Sequence, residues 1–116
     1  MQRIFIVNND FETMSLLKSW LEKKNYEILF TADKNEIIPF VKRFGPHLLL
    51  IDVLYKEIIE ELKMIPKISR IPILLMTGYS HSNNETQEVN DTIEKPFDLP
   101  LLQQKIERLL SLGVNL

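Results

Sequence analysis

Short, almost purely apolar runs alternate with longer stretches of helical period along this chain. The runs are Ile4–Val7, Ile28–Phe30, Leu48–Ile51 and Ile73–Met76, with a weaker fifth around Thr92-Ile93. Each is too short for a helix, and continuous apolarity is the pattern of strands covered on both faces. Between them, Glu12–Lys24 lays Met14, Leu17 and Leu21 along one stripe, with Leu16 and Trp20 beside it. It closes on Lys23-Lys24, positive charge that suits the carbonyl end of a helix. Asp33–Phe44 predicts a second helix, capped by Asp33 and stopped by Gly45-Pro46. Pro39 removes one of its backbone donors and predicts a kink there. Lys56–Ile65 predicts a third helix ending at Pro66, and Asp98 caps a last one. That last helix turns Leu101, Leu102, Ile106, Leu109 and Leu110 inward, with Gly113 past its end. The segment Ser80–Asn90 holds one apolar residue, Val89, so a single short helical turn or a loop is expected in place of a packed fourth helix.

Five strands alternating with helices predict a parallel, doubly wound α/β sheet with right-handed crossovers, and five strands favour the order 2-1-3-4-5. At 116 residues the chain is expected to be one domain, 1–116, since a single core usually serves about 100–200 residues. Residues 113–116 would serve equally as a tail or as the start of a linker to a further domain. The formal charge of −2 gives no basic footprint for nucleic acid or an anionic membrane. No cysteine is present, which excludes disulfides, thiolate metal sites and a thiol nucleophile, and fits a reducing, cytoplasmic setting. Apolar runs such as Leu48–Ile51 stop at four residues, far short of a membrane span. Met1-Gln2-Arg3 leads straight into Ile4–Val7 and then Asn8-Asn9-Asp10, which leaves no signal-peptide hydrophobic region. With only Gly45, Gly78 and Gly113, neither a dinucleotide fingerprint nor a phosphate-binding P-loop can be written.

In sheets of this class ligands bind beyond the carboxyl ends of the strands, at the switch between the first and third. The residues following each run therefore carry the candidate chemistry. They are Asn8, Asn9 and Asp10 after the first, Asp52 after the third, Thr77-Gly78 after the fourth and Lys95-Pro96 after the fifth. One carboxylate, one hydroxyl and one ammonium thus meet on a single edge. Singly, each is an ordinary turn or surface residue; together, in register with the strand ends, they suggest a site.

These residues sit in four pieces: Arg3–Asp10 (RIFIVNND), Pro46–Asp52 (PHLLLID), Ile71–Gly78 (IPILLMTG) and Glu94–Phe97 (EKPF). In that order and spacing they resemble the receiver domain of two-component response regulators, over essentially the whole chain. The resemblance implies a flavodoxin-like fold with a cis Lys95–Pro96 bond. It implies that Asp52 is the phosphoacceptor, fed by a histidine kinase or phosphotransfer protein, that Lys95 pairs with the phosphoryl oxygens, and that Thr77 moves its hydroxyl onto them. It implies a signalling role, not an enzyme with its own turnover beyond self-phosphorylation, and an output domain or partner protein to receive the signal. The chemistry suits these residues: a carboxylate is a competent nucleophile for in-line transfer, and most of the work is positioning and charge neutralisation.

The resemblance also implies a Mg²⁺ held opposite the phosphoacceptor by two acidic residues, by Asp52 and by a backbone carbonyl, here that of Leu54. The acidic positions are Asn8 and Asn9, so only weak Mg²⁺ binding is expected before phosphorylation, because neutral amides supply oxygens without charge. Asp10 could compensate, although capping the first helix is its commoner use. Val53–Ile58 is about five residues short of the usual loop after the phosphoacceptor, and Thr92 replaces the aromatic expected three residues before Lys95.

A second reading follows from these departures: a pseudo-receiver that keeps the fold and binds partners without phosphorylation. A third is an unrelated domain of the same topology binding a small anion. His47 and His81 lack partners at ligand spacing, and Ser80-His81-Ser82 lacks a nucleophile elbow, so neither is expected to bind metal or catalyse. Tyr79 is expected at the pocket entrance and Trp20 in the core.

Overall fold

The computed structural model describes residues 1–78 and 89–114. All five apolar runs are strands: β1 (Arg3–Val7), β2 (Glu27–Thr31), β3 (Leu48–Asp52), β4 (Ile73–Thr77) and β5 (Asp91–Glu94). They form one parallel sheet in the order β2-β1-β3-β4-β5, as expected. Among the described residues, four helices connect or cover them: α1 (Phe11–Glu22), α2 (Ile37–Phe44), α3 (Ile58–Lys63) and α4 (Leu99–Val114).

Alternation along the strands divides the core into two layers. Ile4, Ile6, Leu48, Leu50, Leu74 and Met76 pack with Met14, Leu17 and Leu21 of α1 and Leu102, Ile106, Leu109 and Leu110 of α4. Phe5, Val7, Leu49, Ile51, Ile73 and Leu75 face Ile37 and Val41 of α2 and Ile59 and Leu62 of α3. Residues 4–7, 48–51 and 73–76 are almost wholly buried, which is why those runs show no polar alternation. Trp20 lies half-buried against the first layer, whereas its neighbour Leu16 stays exposed.

Three helical expectations are corrected. Asp33 caps a 3₁₀ turn over Lys34–Glu36, and the α-helix begins only at Ile37. Pro39 therefore falls in the first helical turn, where its missing donor would have had no partner, and the expected mid-helix kink has no cause. The third helix is shorter than Lys56–Ile65 at both ends. A 3₁₀ turn over Val53–Tyr55 precedes it, and i→i+3 bonds from Met64 to Glu61 and from Ile65 to Leu62 tighten its exit. The last helix runs through Gly113 to Val114, since glycine weakens a helix by only about 1 kcal/mol without stopping it. The expected turn within Ser80–Asn90 lies outside the described residues, Val89 and Asn90 excepted, as do Tyr79, Ser80, His81 and Ser82.

Candidate functional site

Sheet register brings the candidate residues level. Val7 pairs with Ile51 across β1 and β3, so Asn8 and Asp52 leave the sheet side by side. Asp52 pairs with Met76, Thr77 pairs with Glu94, and the Lys95 amide donates to the Thr77 carbonyl at 2.9 Å. Three strand ends thus deliver Asp52, Thr77 and Lys95 to one rim. The Lys95–Pro96 bond is cis, as the resemblance implied.

Asp52 is fully buried. Its Oδ2 forms an ion pair with Lys95 Nζ, and its Oδ1 accepts the Leu54 N–H at 2.9 Å. A carboxylate removed from water needs such partners, because an unpaired buried charge is strongly disfavoured. The Lys95 side chain keeps about a third of its surface in solvent, so the pair forms the floor of an open rim. The Leu54 bond also explains the 3₁₀ turn, since it draws the chain back towards Asp52. Thr77 is buried, and its hydroxyl donates to the Ile93 carbonyl at 3.4 Å, a long and weak bond that leaves it available for a better acceptor.

The residues after β1 are differently placed. Asn8 is fully buried: its Oδ1 accepts the Asp10 N–H at 2.8 Å and its Nδ2 lies 3.9 Å from Met76 Sδ. Asn9 is exposed. The Asp10 carboxylate caps α1, taking the N–H groups of Glu12 and Thr13 and the Thr13 hydroxyl. The two Thr13 hydrogen bonds above all, aided by the Glu12 N–H and the Lys95 charge, hold Asp10 below its ordinary carboxylate value against the opposing push of desolvation.

This donor set does not fit a preformed Mg²⁺ site. The amide oxygen of Asn8 and the carboxylate of Asp10 are engaged in starting α1, and both Asp52 oxygens already have partners. At Leu54 it is the N–H that meets Asp52. Among the described residues, no three His, Cys, Asp or Glu side chains gather to hold a metal.

Tyr55 is a neighbour that strand-end reasoning passes over. Its hydroxyl donates to the Ala32 carbonyl at 2.7 Å, tying the turn after Asp52 to the end of β2. Partial burial, then the negative charges of Asp52 and Asp33, push its phenol above the ordinary 10, so it remains a donor. Only its place three residues after Asp52 hints at this in sequence. Beside Lys95, a hollow of about 330 Å³ opens between α1 and the chain entering α4, lined by Thr13, Leu16, Leu17, Pro96, Phe97 and Leu99. His47 is exposed and accepts the Arg3 backbone N–H at Nδ1, at the opposite end of the sheet. Thr92 stands in β5, half-buried.

The family described as the response regulator receiver domain matches residues 4–107. An uncharacterized transcriptional regulatory protein of Bacillus subtilis, YvcP, is 28% identical over 116 residues, covering 95% of this chain and 49% of its own length. Sporulation initiation phosphotransferase F of the same organism is 24% identical, with 98% of both chains covered. Among solved structures, the signal receiver domain of a signal transduction histidine kinase from Syntrophus aciditrophicus superposes with a TM-score of 0.85 at 26% identity, covering 96% of this chain and 91% of that one. Several curated relatives are twice as long: this chain spans about half of their length.

Proposed function

The chain belongs to the response regulator receiver domain family, and from that premise we propose that it is a phosphoacceptor switch in two-component signalling, with Asp52 as the acceptor. The buried Asp52 paired to Lys95 at the carboxyl edge of the sheet carries the reading. An Asp52 oxygen attacks the phosphorus of a phosphohistidine on a histidine kinase or phosphotransfer protein. The P–N electron pair leaves with the imidazole, which takes up a proton. Lys95 then exchanges one carboxylate oxygen for the phosphoryl oxygens, a charge-assisted contact. The Thr77 hydroxyl leaves its long bond to Ile93 for the same oxygens, and this rearrangement marks the modified state. The hollow beside Lys95, with exposed Phe11 and Leu16 nearby on α1, offers the donor protein an apolar face. Receiver domains characteristically use Mg²⁺ for this step; here the pocket for it is weakened by Asn8 and Asn9. The signal passes to an output domain or partner protein, consistent with relatives about twice this length. Cytoplasmic location and the single domain 1–116 complete the reading; no described helix is long and apolar enough to cross a membrane.

Phosphoramidate or acetyl phosphate with Mg²⁺, followed by intact mass, tests the proposal. A single phosphate adduct that Asp52→Asn abolishes is expected, and its absence at high donor concentration would refute the acceptor role. The second reading, a partner-binding pseudo-receiver, is favoured by the engaged oxygens of Asn8 and Asp10. It predicts partner binding indifferent to Asp52→Asn and Asp52→Glu.

A further inference from the structure

We infer that Asp52 takes up and holds a phosphoryl group without a divalent cation, because the charge such a cation would offset has been removed from the pocket. This rests on the phosphoacceptor reading above and adds how the site is balanced.

The unmodified rim holds the Asp52–Lys95 pair, whose formal charges cancel; the Asp10 carboxylate, near enough for Lys95 to act on it, is exposed to solvent and committed to the α1 cap. Phosphorylation turns the Asp52 carboxylate into an acyl phosphate dianion, so the rim carries −2 from the phosphoryl group and +1 from Lys95. The remaining single negative charge faces the solvent that reaches about a third of the Lys95 side chain. With carboxylates at positions 8 and 9 the same state would carry two further negative charges on one edge, which only a bound dication could neutralise. The asparagines also reverse the local polarity. A carboxylate offers the incoming anion only acceptors, whereas each amide has two N–H donors. Asn8 Nδ2 currently faces the sulfur of Met76 at 3.9 Å, a weak acceptor that costs little to leave. The Leu54 N–H, already on Asp52 Oδ1, is a further donor at the site of transfer.

With phosphoramidate as donor, an Asp52 oxygen forms the new O–P bond as the P–N bond breaks. The nitrogen, which already carries three protons in the zwitterionic donor, departs as ammonia with the P–N electron pair. No other reactant is required, and Lys95 follows the negative charge from carboxylate to phosphoryl oxygen.

The test compares phosphoramidate labelling of the full 116-residue chain in excess EDTA and in excess Mg²⁺, read by intact mass over time. Equal rates in the two buffers are expected. The Asn8→Asp/Asn9→Asp variant should become Mg²⁺-dependent, labelling about a hundredfold more slowly in EDTA, the scale of losing one preorganised electrostatic contact. If a carboxylate at the buried position 8 prevents folding, Asn9→Asp alone, at an exposed position, should show the same direction. Wild-type labelling that needs Mg²⁺ would overturn metal independence while leaving Asp52 as the acceptor. An acidic variant that labels equally in both buffers would overturn the charge-balance argument. No adduct in either buffer would remove the acceptor reading and this inference with it.

Discussion

Lys95 and Asp52 lie 43 positions apart in the chain, yet each supplies the other's principal polar partner. Removing the ammonium leaves a fully buried carboxylate with a single backbone N–H. Lys95→Met should therefore destabilise the fold by about 1–3 kcal/mol, below the cost of breaking a wholly buried pair because Lys95 is partly solvated. Adding Asp52→Asn should restore much of the loss, because the uncompensated charge goes with it. Urea denaturation of the single and double variants measures both; a double variant no more stable than Lys95→Met would show that the ion pair is not what holds the rim. Asp52, Thr77 and Lys95 were legible as candidates in sequence because each stands at the carboxyl end of an apolar run. The partners of Asn8 and Asp10 were less so. The N-cap role of Asp10 follows from local chain geometry, but the packing of the Asn8 amide against Met76 depends on a strand 68 positions away.

Among the elements, α2 shows how two punctuating residues act. Gly45 ends the helix at φ +62°, a conformation that L side chains rarely adopt, and an added Cβ would come no closer than 3.5 Å to Arg3. The cost of Gly45→Ala therefore comes from the backbone, about 1–2 kcal/mol. Pro39→Ala should shift stability by only about 0.5 kcal/mol, through the freedom regained by the unfolded chain, because Pro39 already occupies the first helical turn. Melting temperatures of the two variants rank these effects, and a large loss for Pro39→Ala would contradict its placement. Strand existence was plain from apolar runs, whereas helix limits were not. The helices start and stop where side chains such as Asp33 and Asp52 compete for backbone N–H groups, drawing short 3₁₀ turns out of stretches with helical period.

At the scale of the whole molecule, the displaced titrations of Asp91 and His47 give stability a common direction in pH. For Asp91 burial acts upward, but the Thr92 N–H, Lys105 and Arg108 together hold its carboxyl below the usual 3.8, linking β5 to α4. His47 is held below its ordinary 6.5 first by partial desolvation of the ring, then by the positive charges of Arg3 and the amino terminus. In both cases the unfolded chain binds protons more readily than the folded one, so stability falls with acidification. The loss should begin below 6.5 through His47 and resume below 3.8 through Asp91. Melting temperature against pH should show both declines, the first flattened by His47→Gln and the second reduced by Asp91→Asn. A profile that rises on acidification through either window would contradict the assignment.

The chain's own order of residues determined the class of fold, the number of strands and the edge where chemistry would gather. Those follow from periodicity and from strand-end positions, both local properties. Only the folded molecule decided which oxygens remain available there. Asn8 and Asp10 are spent on starting α1, Asp52 is divided between Lys95 and the Leu54 N–H, and Thr77 rests on a weak bond to β5. Hydrogen-bond capacity is shared among neighbours in space, so the order of residues along a chain cannot by itself show how it is allotted.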